Sequence, residues 1–439
     1  MKLTTIVAIV VVVVVVAAAA SAAYVLTKPK GKLTIVFSGW VSSGAEYTFD
    51  QQMVKAFNAL HPNDTVVFSP ITGNYYGVLS TKFDTNTAPA VMYMENDALP
   101  AYAKGGYLLN LSTYLESNSS YDVQGFIPQI LNTFTYKGGI YAVPKDWSPL
   151  FIYFNKAIFN KEKVPYPTNL SVWNWTTMTT LLEQLKQNES MLPGSGSGYY
   201  PMVVGPQFAR ILAFMHEAGG QWINQQGNGA ATNSAGLLAG IKFWYGLYHS
   251  GLAGLNSNMS AGWNGGDFAT GKVAMVVSGG WTYPVVNESG SYFYNNMQAL
   301  GYYHMPSDIQ NGTMGFDVGL GVNSHLTGSR KWLAIQFIEY FTGPIGEKKW
   351  VSLGLALPAR SSILESAAYA SEQPALAYAG ITEFPYTYGW AYNTTNFTPA
   401  ETNAHNIIED LFAGTITPVQ AYQKILQETN TTLANSSTL

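Results

Sequence analysis

The chain has 439 residues, two to three times the usual domain length, so a single core is excluded and two lobes are expected. Its 22 Lys+Arg against 26 Asp+Glu give a net charge of −4, which removes the basic footprint of a nucleic-acid binder. Charged residues are 11% of the chain where about 25% is ordinary, and zero Cys excludes disulfides, thiol catalysis, zinc–thiolate sites and a lipid-carrying cysteine.

An almost unbroken apolar run over 6–25 is long enough to cross a bilayer as a helix. Residues 1–31 therefore read as a membrane anchor or, if cut near Ala20-Ser21-Ala22, as a signal peptide. Lys28, Lys30 and Lys32 would by themselves favour keeping the following chain in the cytoplasm. The sequons argue for the outside. Asn-x-Ser/Thr acceptors stand at Asn63, Asn110, Asn118, Asn169, Asn174, Asn188, Asn258, Asn287, Asn311, Asn393, Asn396, Asn430 and Asn435, and glycans there would hydrate a surface poor in ions.

From Lys32 onward, short apolar strands alternate with amphipathic stretches, the pattern of an α/β protein with buried, mostly parallel sheets flanked by helices. The first strand, over 33–37, runs into Ser38-Gly39-Trp40; Phe49, Met53, Phe57 and Leu60 then share one helical face. Further strands are expected at 66–68, 90–94, 140–143, 150–154, 273–277 and 318–322. Helices are expected at 177–187, 207–218, 235–248, 330–341, 401–412 and 418–433, the last with Pro418 at its start and Thr417 as its cap. Residues 191–198 read as a flexible loop and 429–439 as a polar tail.

Local chemical motifs are missing. His61, His216, His249, His304, His325 and His405 show no metal-ligand spacing, no Gly-x-Ser-x-Gly elbow follows a strand, and Val273 after Gly271-Lys272 breaks a phosphate loop. No cofactor or metal is expected. Aromatic and acidic residues do recur just after strands: Trp40 and Glu46, Glu95 and Asp97, Asp146 and Trp147, and Trp281. In open α/β sheets the crevice lies beyond the carboxyl ends of the strands, so these side chains can converge there. A sugar needs that mixture, because its CH faces stack on rings while its hydroxyls donate to carboxylates.

The order of the pieces resembles the extracytoplasmic sugar-binding subunits of ATP-driven importers, the maltose-binding-protein-like family. The likeness runs from Lys32 to Leu433. It rests on Ala88-Pro89-Ala90-Val91, Tyr102-Ala103-Lys104-Gly105-Gly106-Tyr107, Gly138-Gly139-Ile140-Tyr141-Ala142-Val143-Pro144 and Ile152-Tyr153-Phe154-Asn155-Lys156. The most specific piece is Phe268-Ala269-Thr270-Gly271-Lys272-Val273-Ala274-Met275 continuing to Gly279-Gly280-Trp281, followed by Leu357-Pro358-Ala359 and Gly414-Thr415-Ile416-Thr417-Pro418. Ala90 departs from the family's usual Asp, and the absent lipid-carrying Cys fits an archaeal anchor or a cleaved leader.

The resemblance implies a two-lobed periplasmic-binding-protein fold, with an N-lobe of 32–146 and 282–345, a C-lobe of 147–281 and 346–434, and a polar end at 435–439. It implies a monomer that closes on a carbohydrate between its lobes, then presents it to a membrane permease driven by a cytoplasmic ATPase. The candidate stacking residues are Trp40, Trp147, Trp281 and Trp390; Glu46, Glu95, Asp97 and Asp146 are candidates for hydroxyls, with Gln207, Trp263 and Asp317 beside them. Gly279 and Gly280 would let the backbone approach the ligand. The competing readings are a glycoside hydrolase, which needs two carboxylates across a scissile bond, a glycosylated adhesive protein, and a same-fold binder of a non-sugar solute. An anion binder would show converging Arg, in which this chain is poor.

Overall fold

A computed structural model describes residues 32–187, 199–352, 354–389 and 394–434. The expected anchor or leader at 1–31, the loop at 191–198, Trp390, and the sequons Asn188, Asn393 and Asn435 lie outside them. Among the described residues no helix is long and apolar enough to cross a membrane.

Two mixed sheets form the body. The first contains β1 (Leu33–Ser38), β2 (Asp64–Phe68), β3 (Val91–Glu95), β6 (Ala142–Pro149), β12 (Thr313–Val322) and β13 (Thr387–Gly389), in the order β13-β12-β3-β1-β2 with β6 also on β12. The second runs β11-β7-β10-β8-β9, made of β7 (Phe151–Asn155), β8 (Tyr200–Val204), β9 (Ala253–Leu255), β10 (Val273–Ser278) and β11 (Leu300–Tyr303). A hairpin joins β4 (Thr135–Tyr136) to β5 (Gly139–Ile140). The β1–β2, β1–β3, β8–β9 and β8–β10 pairs are parallel as expected. In contrast, β12 runs antiparallel to β3 and β6, and β7 antiparallel to β10 and β11. Strands that arrive from the other lobe come in without a helical crossover, so nothing imposes parallel pairing on them.

The chain passes between sheets in one step, since only Leu150 separates β6 from β7. Its N–H donates to the Met314 carbonyl at 2.9 Å and its carbonyl accepts the Thr313 hydroxyl at 2.7 Å. The first crossing thus lies beside the second, where β11 leads into β12. The expected boundary after Asp146 falls inside β6, because pairing with β12 continues to Pro149. The expected first-lobe segment 282–345 also divides. Leu300–Tyr303 pairs with β7 in the second sheet, while Thr313–Val322 belongs to the first.

The second sheet is covered on both faces. Leu150, Ile152 and Phe154 enter one apolar core and Phe151 and Tyr153 the other, which is why this stretch reads as a continuous apolar run and not as an alternating one. The helices appear close to their expected places. Pro418–Leu433 starts at its proline, and Thr417 and Gln420 cap it reciprocally. Buried Arg360 fastens the return segment, donating to the carbonyls of Thr342, Asp122 and Tyr121 at 3.0, 2.9 and 3.2 Å and pairing with Glu347.

Candidate functional site

The loops after β1, β3 and β10 meet β6 and β12 around a cavity of about 170 Å³. Trp40, Ser42 and Glu46 come from the turn and helix after β1, and Glu95 from the end of β3. Lys145, Asp146 and Ser148 project from β6, Phe316 and Val318 from β12, Trp281 from the turn after β10, and Leu355 and Ala356 from the return segment. Side chains from segments attached to both sheets therefore line one space.

Local chemistry sets each of these in place. Ser43 caps the helix Gly44–Leu60 by accepting the Glu46 N–H at 3.1 Å, and the Glu46 carboxylate accepts the Ser42 N–H at 2.7 Å and its hydroxyl. This holds Glu46 in the first helical turn facing the cavity. Trp40 stands half-buried, edge-on to Tyr75 and Tyr93 at 5.1 Å each. It can do so because Gly39 leaves room for Tyr93, whose ring would lie 2.5 Å from any Cβ at that position. Trp281 meets Phe316 edge-on at 5.1 Å.

The glycines before Trp281 make room for its ring and for a neighbouring carbonyl. A Cβ on Gly279 would overlap the Trp281 ring, and one on Gly280 would come 2.8 Å from the Leu355 carbonyl. They seat the indole and close the turn against the return segment, and Gly280 N–H donates to the Ser148 hydroxyl at 2.7 Å. Gly279→Ala is expected to displace Trp281 and shift its fluorescence emission, while a Gly44→Ala control, whose Cβ meets nothing nearer than 3.6 Å, leaves the spectrum unchanged.

The electrostatics are dominated by burial. Lys145 is 2% exposed, pairs with Asp146, and lies 3.7 Å from the Trp350 ring centroid and 4.7 Å from that of Tyr93. Asp146 also accepts the Trp350 indole N–H at 2.5 Å. Burial raises the carboxyls of Glu46, Asp50 and Asp146 above their ordinary range, and the Lys145 charge pulls against that rise in each. Glu95 is pushed up to about 8, first by burial and then by the nearby Asp97 charge. Glu401, on the helix Phe397–Phe412, is pushed up to about 7 by burial and by the same Asp97.

Of the expected ligand residues, Trp40, Glu46, Glu95, Asp146 and Trp281 share the cavity. Asp97 is nearly buried between Glu95 and Glu401. Gln207 begins the helix Phe208–Glu217, with its Oε1 buried and unpaired. Three expectations need correction. Trp147 is fully buried, donates its indole N–H to the Pro358 carbonyl at 2.9 Å and packs edge-on against Phe384, so it is core. Trp263 folds back over Gly265 and Gly266 of its own helix. Asp317 follows Phe316 on β12, so the strand alternation turns it to the opposite face. There it accepts the Asn96 amide at 3.1 Å and lines a second cavity of about 260 Å³ with Thr133 and Phe384.

Lys145 and Phe316, which line the cavity, and Arg210, beside the Trp281 and Phe316 rings, were not among the expected ligand residues. A signal existed for two of them: Lys145 interrupts a buried strand and Arg210 an apolar helix start, Phe208-Ala209-Arg210-Ile211-Leu212. A long cation amid apolar residues is seldom buried without a reason.

A sequence profile described as bacterial extracellular solute-binding protein matches residues 52–377. An uncharacterized lipoprotein of Streptomyces antibioticus is 28% identical over 159 residues, which are 35% of this chain and 34% of that one, so the chain spans about a third of this curated relative's length. An ABC substrate-binding protein from Listeria monocytogenes, solved with cycloalternan, superposes with a TM-score of 0.80 at 19% identity, over 92% of this chain and 99% of that one. The GacH receptor of Streptomyces glaucescens, solved without ligand and with acarbose, gives 0.78 at 18% identity over 92% and 99%. These likenesses show a shared two-lobed fold.

Proposed function

Since the chain belongs to the bacterial extracellular solute-binding protein family, we propose that its solute is a carbohydrate, taken into the cleft where Trp40 and Trp281 flank buried acids. The single observation that carries this reading is the convergence of two half-buried indoles and three carboxyl groups around one cavity lined from both sheets. Rings supply faces for sugar CH groups, and carboxyls supply acceptors, or donors when protonated, for vicinal hydroxyls. The carbohydrate complexes of the Listeria and Streptomyces neighbours support the same class.

Capture would work by closure. A ligand that touches groups on both lobes lowers the energy of the closed form relative to the open one, whereas a ligand held by one lobe shifts nothing. The crossings at Leu150 and before β12 are the natural hinge, and the closed form would be presented to a permease coupled to an ATPase. The protein would act as a monomer outside the cell, held by 1–31 or released after its removal. N-glycans would sit at the exposed Asn63, Asn110, Asn169, Asn258, Asn287 and Asn311. Asn174 and Asn430 suit them less, because the first caps a helix and the second accepts the Ala230 N–H.

Thermal-shift screening of the purified protein against mono- and oligosaccharides tests the reading: a bound sugar raises the melting temperature with the logarithm of its concentration over Kd once that ratio exceeds one. Trp281→Ala is expected to weaken sugar binding by about 1–3 kcal/mol with little change in melting without ligand. Release of shorter sugars during incubation would point instead to a glycoside hydrolase, and a variant that unfolds would place Trp281 in the core.

A further inference from the structure

The chain has three arginines. Arg330 is exposed on the surface, and Arg360 is consumed by three backbone carbonyls and Glu347. Arg210 is different. Its guanidinium carbon lies 5.8 Å from the Trp281 ring centroid and 5.8 Å from that of Phe316, the two rings that meet edge-on at one end of the cavity. Its Nε is buried with no hydrogen-bond partner, and no described carboxylate pairs with it. The Gln207 Oε1, one turn earlier, is likewise buried and unpaired.

Arg210 is half-buried with its Nε out of water; a partly desolvated cation without a counter-charge is costly, and aromatic faces offset only part of that cost. Burial alone lowers the Arg210 pKa, to about 10, so the group stays charged at neutral pH and no acid relieves it. The acids that line the cavity are otherwise engaged: Asp146 is paired with Lys145, Glu46 is held by Ser42, and Glu95, pushed up to about 8, is protonated at neutral pH. Among the described residues none supplies the missing charge, which leaves the place open to an anionic ligand.

We propose that the solute is an acidic sugar, one bearing a carboxylate as in a uronic acid, and that Arg210 receives this carboxylate while the ring stacks on Trp281. The proposal rests on the carbohydrate reading above. A planar guanidinium matches a carboxylate with two parallel hydrogen bonds, and the unpaired Gln207 Oε1, one turn earlier, can accept a hydroxyl of the same sugar.

The test is calorimetric titration of the full chain with matched pairs, glucuronate against glucose and digalacturonate against maltose. In each pair the acidic member should bind at least about tenfold more tightly. Arg210→Gln should bring that ratio close to one, Arg210→Lys should restore part of it, and rising salt should lower it. The melting temperature of Arg210→Gln without ligand should change little, since no hydrogen bond or ion pair among the described residues is lost and only the contacts with the Trp281 and Phe316 rings go. Neutral sugars binding as tightly as acidic ones, or Arg210→Gln weakening both members equally, would overturn the acidic-sugar proposal and leave the carbohydrate reading standing. If no sugar of either kind binds, both fall together.

Discussion

Lys145→Met lowers stability by about 3–5 kcal/mol at pH 7, the magnitude of breaking a buried ion pair by removing one partner. Lys145 is the cation whose field opposes the burial-driven rise of Glu46, Asp50 and Asp146. It is 2% exposed, packed on the Trp350 ring and paired with Asp146. Without it Asp146 keeps the Trp350 indole N–H, but three buried carboxyls lose the charge that favours their ionised form, and they must take up protons or remain uncompensated. The loss should therefore shrink at pH 4.5, where protons are freely available, and the Lys145→Met, Asp146→Asn double variant should regain much of the stability at pH 7. Urea unfolding at both pH values reads the effect. An equal loss at each pH would mean that Lys145 contributes packing alone.

The wild-type chain should be more stable in mild acid than in alkali. Burial is the first cause that pushes Glu95, Glu347 and Glu383 up to about 8 and Asp317 and Glu401 up to about 7, against unfolded values of about 4. Between these limits the folded chain holds protons that the unfolded chain has released, so stability falls as pH rises. The contribution is complete below the unfolded values and is lost as pH climbs through 7 and 8. His216, lowered to about 3 by burial, acts in the opposite sense, because its stabilisation is present above pH 6.5 and wanes in acid. His304, also lowered by burial, acts in the same sense as His216, and these two groups are outweighed by the five carboxyls. The melting temperature at pH 5 is expected to exceed that at pH 9 by at least about 5 °C, given that about 1 kcal/mol moves a large domain by 2–4 °C. A melting temperature that climbs from pH 5 to pH 8 would show that these carboxyls titrate as they do in solution.

Some elements were legible because their cause is local. The helical spacing of Phe49, Met53, Phe57 and Leu60 marked a helix; the first three are buried on Gly44–Leu60, while Leu60, its last residue, is exposed. The apolar runs at β3, β7 and β10 marked strands covered on both faces. Tyr200–Val204 went unread because Pro201 reads as a breaker. Leu300–Tyr303 and Thr387–Gly389 went unread because short strands with Gly and Tyr owe their form to their neighbours β7 and β12.

What the sequence determined by itself is the class of the molecule: two lobes, an α/β alternation, a surface poor in ions, and rings and acids placed at strand ends. Those features follow from residue type and spacing along the chain. Which of these side chains meet was decided only by the tertiary structure, since strand alternation sends Phe316 to one cavity and Asp317 to the other, and burial turns Trp147 into core while leaving Trp281 at the cleft. The unpaired charge of Arg210 is of the same kind, because a partner's absence is a property of three-dimensional neighbours, which no single stretch of sequence contains.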